Sequence, residues 1–483
     1  MSGSIKRNLG LQTVYQILNT CLPLVTAPYL ARVLGASMLG VFSYTSSVVA
    51  YFSLVAMLGT VNYGTRSIAE KRGNKKELSE TFWSIYILQF STTLLALVAY
   101  STYLIYICKS NLTIAIIQSL TLIACLFDIN WLFFGVEDFV ITVTRNIIIK
   151  VVTVGAILIF VKKPSDLWIY TVIMLAGNVF SQIVLWFYLP RYVAIVHINW
   201  REIVSRLKPN IVLFIPLLAM SVYHTMDKTM LGAISTYEQT GFYYNADKVI
   251  NIPLCILNGV GTVMLPRMTG LFNAGKRKEA DQLLMVSLEG ITFISVAFGV
   301  GIASVAEEFV PIFFGEGYTA CIILTIVLSP VLIIKGISNT IRTQYLVPLN
   351  MENVFIKSVV SGALINLFFN LLLIPKLGAM GAVIGTLVAE LVACILQFLA
   401  IRKMIYLKKY LMNVWVYVCV GILMFICVRV VGKVNIHRTM LKLCIECIIG
   451  AIVYLGICGI FWKKENNNMF QAVFKPIIKK FLR

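Results

Sequence analysis

Long apolar stretches follow one another along the whole chain, and only short polar connections separate them. Each stretch is close to the length of about 20 mostly apolar residues that a helix needs to cross a bilayer. We therefore predict an all-α, polytopic membrane protein with about 14 transmembrane helices. The predicted spans are 9–34, 40–65, 81–107, 112–136, 139–161, 167–190, 210–234, 244–265, 284–306, 319–345, 354–374, 378–401, 411–430 and 441–462.

The composition excludes several other classes of protein. Of the 483 residues, 59% are hydrophobic and 13% are charged, whereas a soluble chain carries about 25% charged residues. A soluble enzyme, a disordered chain and a secreted disulfide scaffold are therefore not expected. The longest polar connections, 191–209 and 266–283, are too short to form a catalytic domain. The sequence predicts neither a cofactor nor a metal site.

The distribution of basic residues indicates a topology. The chain has 41 Lys and Arg against 21 Asp and Glu, a formal net charge of +20. Most of the basic residues fall in every second connection, counted from the N-terminus, as the positive-inside rule requires. Both termini are therefore predicted to be cytoplasmic. Because the excess charge reports orientation in a membrane, nucleic acid is not an expected partner.

A shift of about 201 residues aligns two parts of the chain, which indicates an internal repeat. The aligned elements are Gly40 with Gly241, Arg66 with Arg267, and the basic loop 73–77 with 275–279. Both parts begin on the same side of the membrane, and transporters with such parallel repeats hold their substrate between the halves. We predict two pseudo-symmetric six-helix lobes, 1–200 and 201–405, followed by two extra spans and a basic tail in 406–483.

Several predicted spans carry polar side chains at helical spacing. The stripes include Asp128 with Trp131, Tyr244 with Lys248 and Asn251, and Lys335 with Asn339 and Arg342. A charge at the bilayer centre costs about 2.5–3.5 kcal/mol, so these side chains should face protein or water. One interpretation is contact between helices, such as an ion pair of Glu390 with Lys335 or of Asp227 with a neighbouring cation. For the whole set we favour a polar cavity, whose excess of cations suits a phosphorylated, anionic substrate.

Small residues and prolines within the spans make further predictions. Gly381, Gly385 and Ala389 form a small-residue face that predicts close helix packing. Prolines inside spans are expected to kink their helices, which would provide bending points for a change of state. These prolines are Pro23, Pro28, Pro216 and Pro253.

Four parts of the sequence are similar to a known family. They contain YLARVLG at 29–35 with GVFSY at 40–44, DINWLFFGVE at 128–137, GFYYNADK at 241–248, and NLLLIPKLGAMGA from 370 running on to Glu390. These motifs resemble the polysaccharide-transport flippases of the Wzx type, which share a superfamily with multidrug/toxin extruders and lipid II flippases. The likeness covers essentially the whole chain. Ala36–Ser37 departs from the pattern, because the family usually has a proline after the glycine.

The resemblance implies a two-lobed helical bundle in the cytoplasmic membrane of a bacterium. The implied function is transfer of undecaprenyl-pyrophosphate-linked oligosaccharide repeat units to the outer leaflet by alternating access, without catalysis. The product would serve capsule, O-antigen or exopolysaccharide synthesis. The implied partners are this lipid-linked oligosaccharide, membrane lipids, and the polysaccharide polymerase and glycosyltransferases of the same pathway.

The positions of the charged residues and the resemblance together indicate candidate site residues. The candidates for contact with phosphate are Arg32, Arg66, Lys248 and Arg267, followed by Lys228 and Lys335. The candidates for stacking on sugar rings are Tyr44, Trp131 and Tyr244. The candidates for coupling to H⁺ or Na⁺ are Asp128, Asp227 and Glu390, and the coupling ion is left open. Arg32 and Lys228 lie near the outer ends of their spans, where snorkelling is the alternative.

Three other functions are alternatives. A cation-coupled drug extruder of the same superfamily would need carboxylates in its cavity, which Asp128, Asp227 and Glu390 could supply. A lipid II flippase would share the anionic lipid substrate. A membrane-bound polymerase would be expected to carry a large external loop for glycosyl transfer, and this sequence has no such loop.

Overall fold

The computed structural model describes residues 2–402, 407–434 and 439–465, with side chains from Leu22 onward except at 216, 407–409, 411–412 and 464–465. Almost all of the described residues are helical, and none of them lies in a β-strand. The all-α prediction is therefore confirmed. The basic tail from 466 to 483 lies outside the described residues.

Within the described ranges, 11 helices are long and apolar enough to cross a membrane. The number rises to 13 if each of two bent helix pairs is counted as one span. One of the 11 runs from Leu22 to Lys71 and contains the second predicted span with part of the first. The chain is thus a multi-pass membrane protein, while the count of about 14 spans and the cytoplasmic termini stay predictions.

The chain divides into two compact units, Met1–Gly241 and Phe242–Arg483. The predicted lobe boundary at residue 200 stays a prediction, and the first unit also holds the first helix of the second repeat. The helices of the first unit are α1 (Ser2–Met57), α2 (Thr60–Lys71), α3 (Lys75–Tyr106), α4 (Leu112–Gln118), α5 (Leu120–Phe127), α6 (Asn130–Gly135), α7 (Phe139–Phe160), α8 (Leu167–Trp186) and α9 (Trp200–Ile234), with 3₁₀ turns at Pro164–Asp166 and Leu189–Arg191.

A glycine interrupts the first helix. Gly35 has φ of 77° and ψ of 169°, and it is the residue at which α1 is not helical. Positive φ favours glycine because it has no Cβ. The interruption lies between the first two predicted spans, whereas the helical backbone continues through Pro23 and Pro28. In α9 the structure agrees with the kink predicted at a proline, because that helix bends by 47° at residue 216, where the sequence has a proline.

Two glycines that the repeat aligns make reciprocal contacts. Gly40 packs against the backbone of Tyr237, and Gly241 packs against the backbone of Ala36, so a Cβ at either glycine would collide with a carbonyl oxygen. The shift of about 201 residues that relates the glycines also relates Ala36 to Tyr237, as a local two-fold axis would require. This contact pattern is the one that an internal duplication would produce, and the duplication itself stays a prediction.

The core of the first unit fixes the position of α2. Trp131 on α6 is fully buried. Its ring stacks with Phe82 of α3 at a centroid distance of 5.2 Å, and its Nε1 donates a 3.0 Å hydrogen bond to Gln89 Oε1. A Cβ at Gly64 of α2 would lie 2.6 Å from the indole ring. The glycine therefore allows α2 to pack directly on Trp131, with its opposite face turned outward.

The second unit contains the remaining helices, and the first of these begins at the end of the first unit. They are α10 (Tyr237–Asn273), α11 (Arg277–Phe314), α12 (Thr319–Leu328), α13 (Pro330–Ile341), α14 (Glu352–Leu377), α15 (Ala379–Ile401), α16 (Leu407–Gly432) and α17 (Thr439–Glu465), with a 3₁₀ turn at Glu316–Tyr318 and a π-helical turn at Arg342–Leu346.

Close packing of α14 on α15 confirms the prediction made from the small-residue face. A Cβ at Gly381 would lie 2.5 Å from the backbone of Leu373, and a Cβ at Gly385 would lie 2.5 Å from Asn370 Oδ1. Ala389 is fully buried on the same face of α15. Each larger side chain there would force the two helices apart.

The two helices beyond the predicted lobes, α16 and α17, pack against α11. The Tyr454 hydroxyl donates a 2.9 Å hydrogen bond to the carbonyl oxygen of Phe293. Trp462 Nε1 donates a 3.0 Å hydrogen bond to the Tyr417 hydroxyl. These aromatic side chains are buried, and the two hydrogen bonds satisfy polar atoms that have little access to water.

Candidate anion-binding pocket

Helices of the first unit line an open pocket of about 510 Å³. Pockets that bind small molecules typically have volumes of about 300–1,000 Å³. The walls come from α2, the first turns of α3 and the first half of α9. The lining residues, which define what we call the basic pocket, are Tyr63, Arg66, Ser67, Glu70, Lys71, Thr81, Arg206, Lys208, Pro209, Val212 and Leu213.

The α2 helix presents charged residues to the pocket because its other face is buried. Thr60, Gly64 and Ile68 are buried, and their spacing of four residues places them on one face. Arg66 and Glu70 lie on the exposed side, where Arg66 Nε is 3.1 Å from Glu70 Oε1. The packing of α2 on the tryptophan core thus determines which of its residues can meet a ligand.

The capped start of α3 holds the end of α2. Asn74 Oδ1 accepts hydrogen bonds from the backbone N–H groups of Lys76, at 3.0 Å, and Glu77, at 3.4 Å. Such a cap satisfies N–H groups that a helix start leaves unpaired. Glu77 Oε2 lies 2.6 Å from Lys71 Nζ, so the capped turn also positions a lysine of the pocket.

The third wall is the polar start of α9. This helix begins at Trp200, well before residue 210, where the apolar stretch starts. Arg206 NH1 donates a 3.2 Å hydrogen bond to the Tyr63 hydroxyl, and Asn210 Nδ2 donates a 2.9 Å hydrogen bond to the Arg206 carbonyl oxygen. Gly59, with φ of 78°, lets α9 approach closely, since a Cβ there would lie 2.9 Å from the Asn210 carbonyl oxygen.

The basic pocket carries an excess of positive charge. Four of its lining residues are cations and one, Glu70, is an acid. The side chains of Arg66 and Lys71 are 78% and 48% exposed in their ion pairs. Exposed ion pairs contribute only about 0–1 kcal/mol. An anionic ligand can therefore replace these carboxylate partners at little cost.

Arg206 lines the pocket and carries one donor that is left without a partner in the described part of the chain. Its Nε is buried and donates to no acceptor among the described residues. A buried donor without a partner costs about 1–3 kcal/mol. The guanidinium group is also the side chain whose geometry best matches a phosphate, because it can donate two parallel hydrogen bonds. The pocket is thus suited to a phosphate or pyrophosphate group.

The predicted phosphate contacts of the first unit fall in different places. Arg66 lines the basic pocket. Arg32 is exposed on α1, just before the interruption at Gly35, and Lys228 is half-buried on α9. Neither is among the lining residues of the pocket.

Two of the predicted sugar-stacking residues pack within the protein. The Tyr44 ring lies against Gly232, which has no side chain to displace it, and 5.8 Å from the Tyr237 ring centroid. Trp131 is fully buried, so in this conformation its ring has no face for a sugar. In the second unit, the Tyr244 ring is half-buried and faces the ammonium group of Lys248, 4.1 Å from the ring centroid.

The predicted coupling residue Asp128 belongs to a polar network that contains a buried arginine. Asp128 Oδ1 accepts hydrogen bonds from the backbone N–H of Asn130, at 2.9 Å, and from its Nδ2, at 2.8 Å. Arg145 on α7 is 6% exposed. It donates to Asn130 Oδ1 at 3.0 Å, to the Ser181 carbonyl oxygen at 2.7 Å and to Asn146 Oδ1 at 2.7 Å. The network joins α6, α7 and α8.

In the second unit, the structure confirms one predicted ion pair. Lys335 Nζ on α13 lies 3.1 Å from Glu390 Oε1 on α15, and their side chains are 22% and 8% exposed. Arg342 donates a 2.8 Å hydrogen bond to Asn339 Oδ1, and Asn339 Nδ2 donates a 2.7 Å hydrogen bond to Asn258 Oδ1 of α10. This part of the predicted polar stripe therefore connects helices of one unit.

The last two predicted site residues, one for phosphate contact and one for ion coupling, lie in contrasting environments. Arg267 is exposed near the end of α10, and Asp227 is buried on α9. The roles proposed for all of these residues in substrate binding and ion coupling stay predictions.

The sequence analysis did not select several residues that line the basic pocket or form a buried polar network. The basic connections of the sequence include Lys71, Arg206 and Lys208, which contribute there only to the predicted topology. The four-residue spacing of Arg206 and Asn210 was a signal that α9 extends into the polar segment. Arg145 was also overlooked, although a single arginine inside an apolar span is itself a signal of a buried polar network.

Comparison with known proteins gives a family match. The family described as "Polysaccharide biosynthesis protein" matches residues 5–272, more than half of the chain. A protein of Escherichia coli (strain K12) that carries the name "Putative O-antigen transporter" is 25% identical over 410 residues. The match covers 83% of this chain and 97% of that protein.

Solved structures show the same fold. The inward closed conformation of the lipid II flippase MurJ superposes with a TM-score of 0.76 at 13% identity, covering 94% of this chain and 99% of that chain. An inward-facing multidrug resistance MATE family transporter superposes with a TM-score of 0.61 at 14% identity, covering 81% and 97%. At such identities the likeness concerns the fold alone.

Proposed function

The chain belongs to the family of polysaccharide biosynthesis proteins, and from this premise we propose that it is a flippase for lipid-linked oligosaccharides. The proposed substrate is an oligosaccharide repeat unit on undecaprenyl pyrophosphate, and the proposed location is the bacterial cytoplasmic membrane. The relative named as an O-antigen transporter, with 97% of its length matched, supports this assignment.

The basic pocket is the observation that carries the proposal. A pyrophosphate head group needs cations and hydrogen-bond donors, and the pocket supplies Arg66, Lys71, Arg206 and Lys208. The positive-inside rule predicts that this end of the first unit faces the cytoplasm, where the lipid-linked repeat unit is assembled. The head group would bind there first, while the lipid tail stays in the bilayer.

Translocation would then follow by alternating access. The internal repeat supports this mechanism, since transporters of parallel repeats rock their halves around a central substrate site. Arg32, Lys228, Lys248 and Arg267 remain the proposed later contacts for the head group, whereas Lys335 is already paired with Glu390. Coupling to H⁺ or Na⁺ remains part of the proposal, with Asp128, Asp227 and Glu390 as candidates.

Export of a surface polysaccharide tests the proposal. A strain without this gene should accumulate undecaprenyl-pyrophosphate-linked repeat units in the inner leaflet, and the wild-type gene should restore surface polysaccharide. Arg206→Ala should lower export about tenfold or more, because one charge-assisted hydrogen bond contributes about 1.5–3 kcal/mol. Arg201→Ala is the matched control, since Arg201 is exposed on the same helix and does not line the pocket.

Two outcomes would contradict the proposal. Normal surface polysaccharide in the deletion strain would show that the chain moves another substrate. Equal export by Arg206→Ala and Arg201→Ala, at equal membrane levels, would show that the pocket does not bind the substrate.

A lipid II flippase is the second candidate, because its substrate would also be an anionic lipid, which suits the basic pocket. Rescue of a strain depleted of its own lipid II flippase would favour that candidate. Raised resistance to toxic cations on expression would instead favour a drug extruder.

A further inference from the structure

A buried pair of carboxyl groups lies where α11 meets α16 and α17, the two helices beyond the predicted lobes. Glu308 of α11 is 8% exposed and Glu446 of α17 is 1% exposed. The two carboxyl groups lie next to each other, beside Gly432 of α16. Gly432 of α16 makes room for them, since a Cβ there would lie 2.8 Å from Glu446 Oε1 and 3.8 Å from Glu308 Oε1.

The charged groups around the pair come from all three helices. Lys442 Nζ of α17 lies 2.7 Å from Glu308 Oε1. Arg429 NH1 of α16 lies 2.7 Å from Oε2 of Glu307, the neighbouring acid of α11, which is 59% exposed. The lysine therefore contacts one oxygen of the pair, and the arginine contacts the acid outside it.

One oxygen atom of each carboxyl group has no donor among the described residues. The Oε2 atoms of Glu308 and Glu446 are buried and accept no hydrogen bond from any residue in the described ranges. An ionised carboxylate only accepts hydrogen bonds, whereas a protonated one also donates. Two neighbouring carboxylates in a buried place cannot both be ionised at low cost, because like charges repel and water does not separate them.

We propose that Glu308 and Glu446 form a proton-binding site in which the two carboxyl groups share one proton. Lys442 offsets the single charge that remains on the pair. No covalent bond is made or broken other than the O–H bond of the bound proton. The site differs from the coupling candidates Asp128, Asp227 and Glu390, and it does not depend on the identity of the transported lipid.

Infrared difference spectroscopy of the full chain in lipid vesicles tests the proposal. At neutral pH the wild type should show the C=O stretch of a buried protonated carboxyl group, and raising the pH should remove it. Glu446→Gln and Glu308→Gln should each lack this band, because a pair with one amide has no second carboxyl group to share a proton. Glu307→Gln, which removes the exposed neighbouring acid, should retain the band and its pH dependence.

A second measurement separates a proton from a metal cation. The midpoint of thermal unfolding is followed at one pH while Na⁺ replaces choline. A proton site predicts the same midpoint in both salts for the wild type and for Glu446→Gln.

A Na⁺-dependent rise in the wild type that Glu446→Gln abolishes would overturn the proposal and identify a sodium site. Loss of the infrared band in Glu307→Gln, or its persistence in Glu446→Gln, would also overturn it. Glutamine has nearly the shape of glutamate, so the variants should fold, and either of the two glutamine variants alone is decisive. Neither measurement uses the lipid substrate, so a failure here leaves the proposed function standing.

Discussion

The basic pocket of the first unit and the Lys335–Glu390 pair of the second unit use the same kinds of charge in opposite ways. In the pocket, Arg66 and Lys71 have carboxylate partners, but their side chains are 78% and 48% exposed. In the pair, the lysine is 22% exposed and the glutamate 8%. The first arrangement leaves cations available to an incoming anion, and the second neutralises a cation inside the protein.

The difference shows that a count of cations within the spans cannot by itself locate a binding site. An exposed pair contributes about 0–1 kcal/mol, whereas removing one partner of a buried pair costs about 3–5 kcal/mol. We therefore expect substitutions at the two places to rank in opposite orders for stability and for transport. The predictions below follow the expected loss of stability from largest to smallest.

Lys335→Ala should cause the largest loss of stability. It leaves the buried Glu390 without its cation, so the free energy of unfolding in mixed micelles should fall by about 3–5 kcal/mol. The yield of folded protein in the membrane should fall with it. Any loss of export should be explained by the lower amount of protein.

A double-mutant cycle checks the origin of this loss. Adding Glu390→Ala to Lys335→Ala should restore much of the stability, because no unpaired charge remains. If Lys335→Ala unfolds like the wild type but loses export, the pair belongs to the substrate path and the comparison fails.

Arg145→Met should cause the next largest loss, and it tests whether buried charges are structural in the first unit too. The substitution removes the donor from Asn130 Oδ1, the Ser181 carbonyl oxygen and Asn146 Oδ1. Buried acceptors left without donors cost about 1–3 kcal/mol each, partly recovered by relaxation, so we expect a loss of about 2–3 kcal/mol in the same micelles. Arg145→Lys should be intermediate, since one ammonium group cannot reach three acceptors. A methionine variant as stable as the wild type would contradict the structural role.

The sequence predicted the class of fold and several contacts but did not select most of the residues that line the basic pocket. The Lys335–Glu390 pair and the Gly381 face were predictable because helical spacing determines which residues share a face. Hydropathy located the apolar stretches but not the polar residues that extend their helices. The start of α9 before residue 210 was therefore missed, and Arg206 was not recognised as a helical residue. Trp131 was predicted to share a helical stripe with Asp128, but Asp128 has an extended backbone between α5 and α6, and the Trp131 ring is fully buried.

Lys71→Ala should cause the smallest loss of stability. Its ion pair with Glu77 spans 2.6 Å but is half exposed on both sides, so the free energy of unfolding should change by about 1 kcal/mol or less. The small change should shrink further at high salt, because exposed charges are screened over about 8 Å at physiological ionic strength. Export should nevertheless fall, since the pocket loses one of its four cations, whereas Lys76→Ala, on the exposed start of α3 and not lining the pocket, should leave both measurements unchanged. A large loss of stability without a loss of export would assign the charges of this pocket to folding, as at Lys335, and would remove the contrast between the two units.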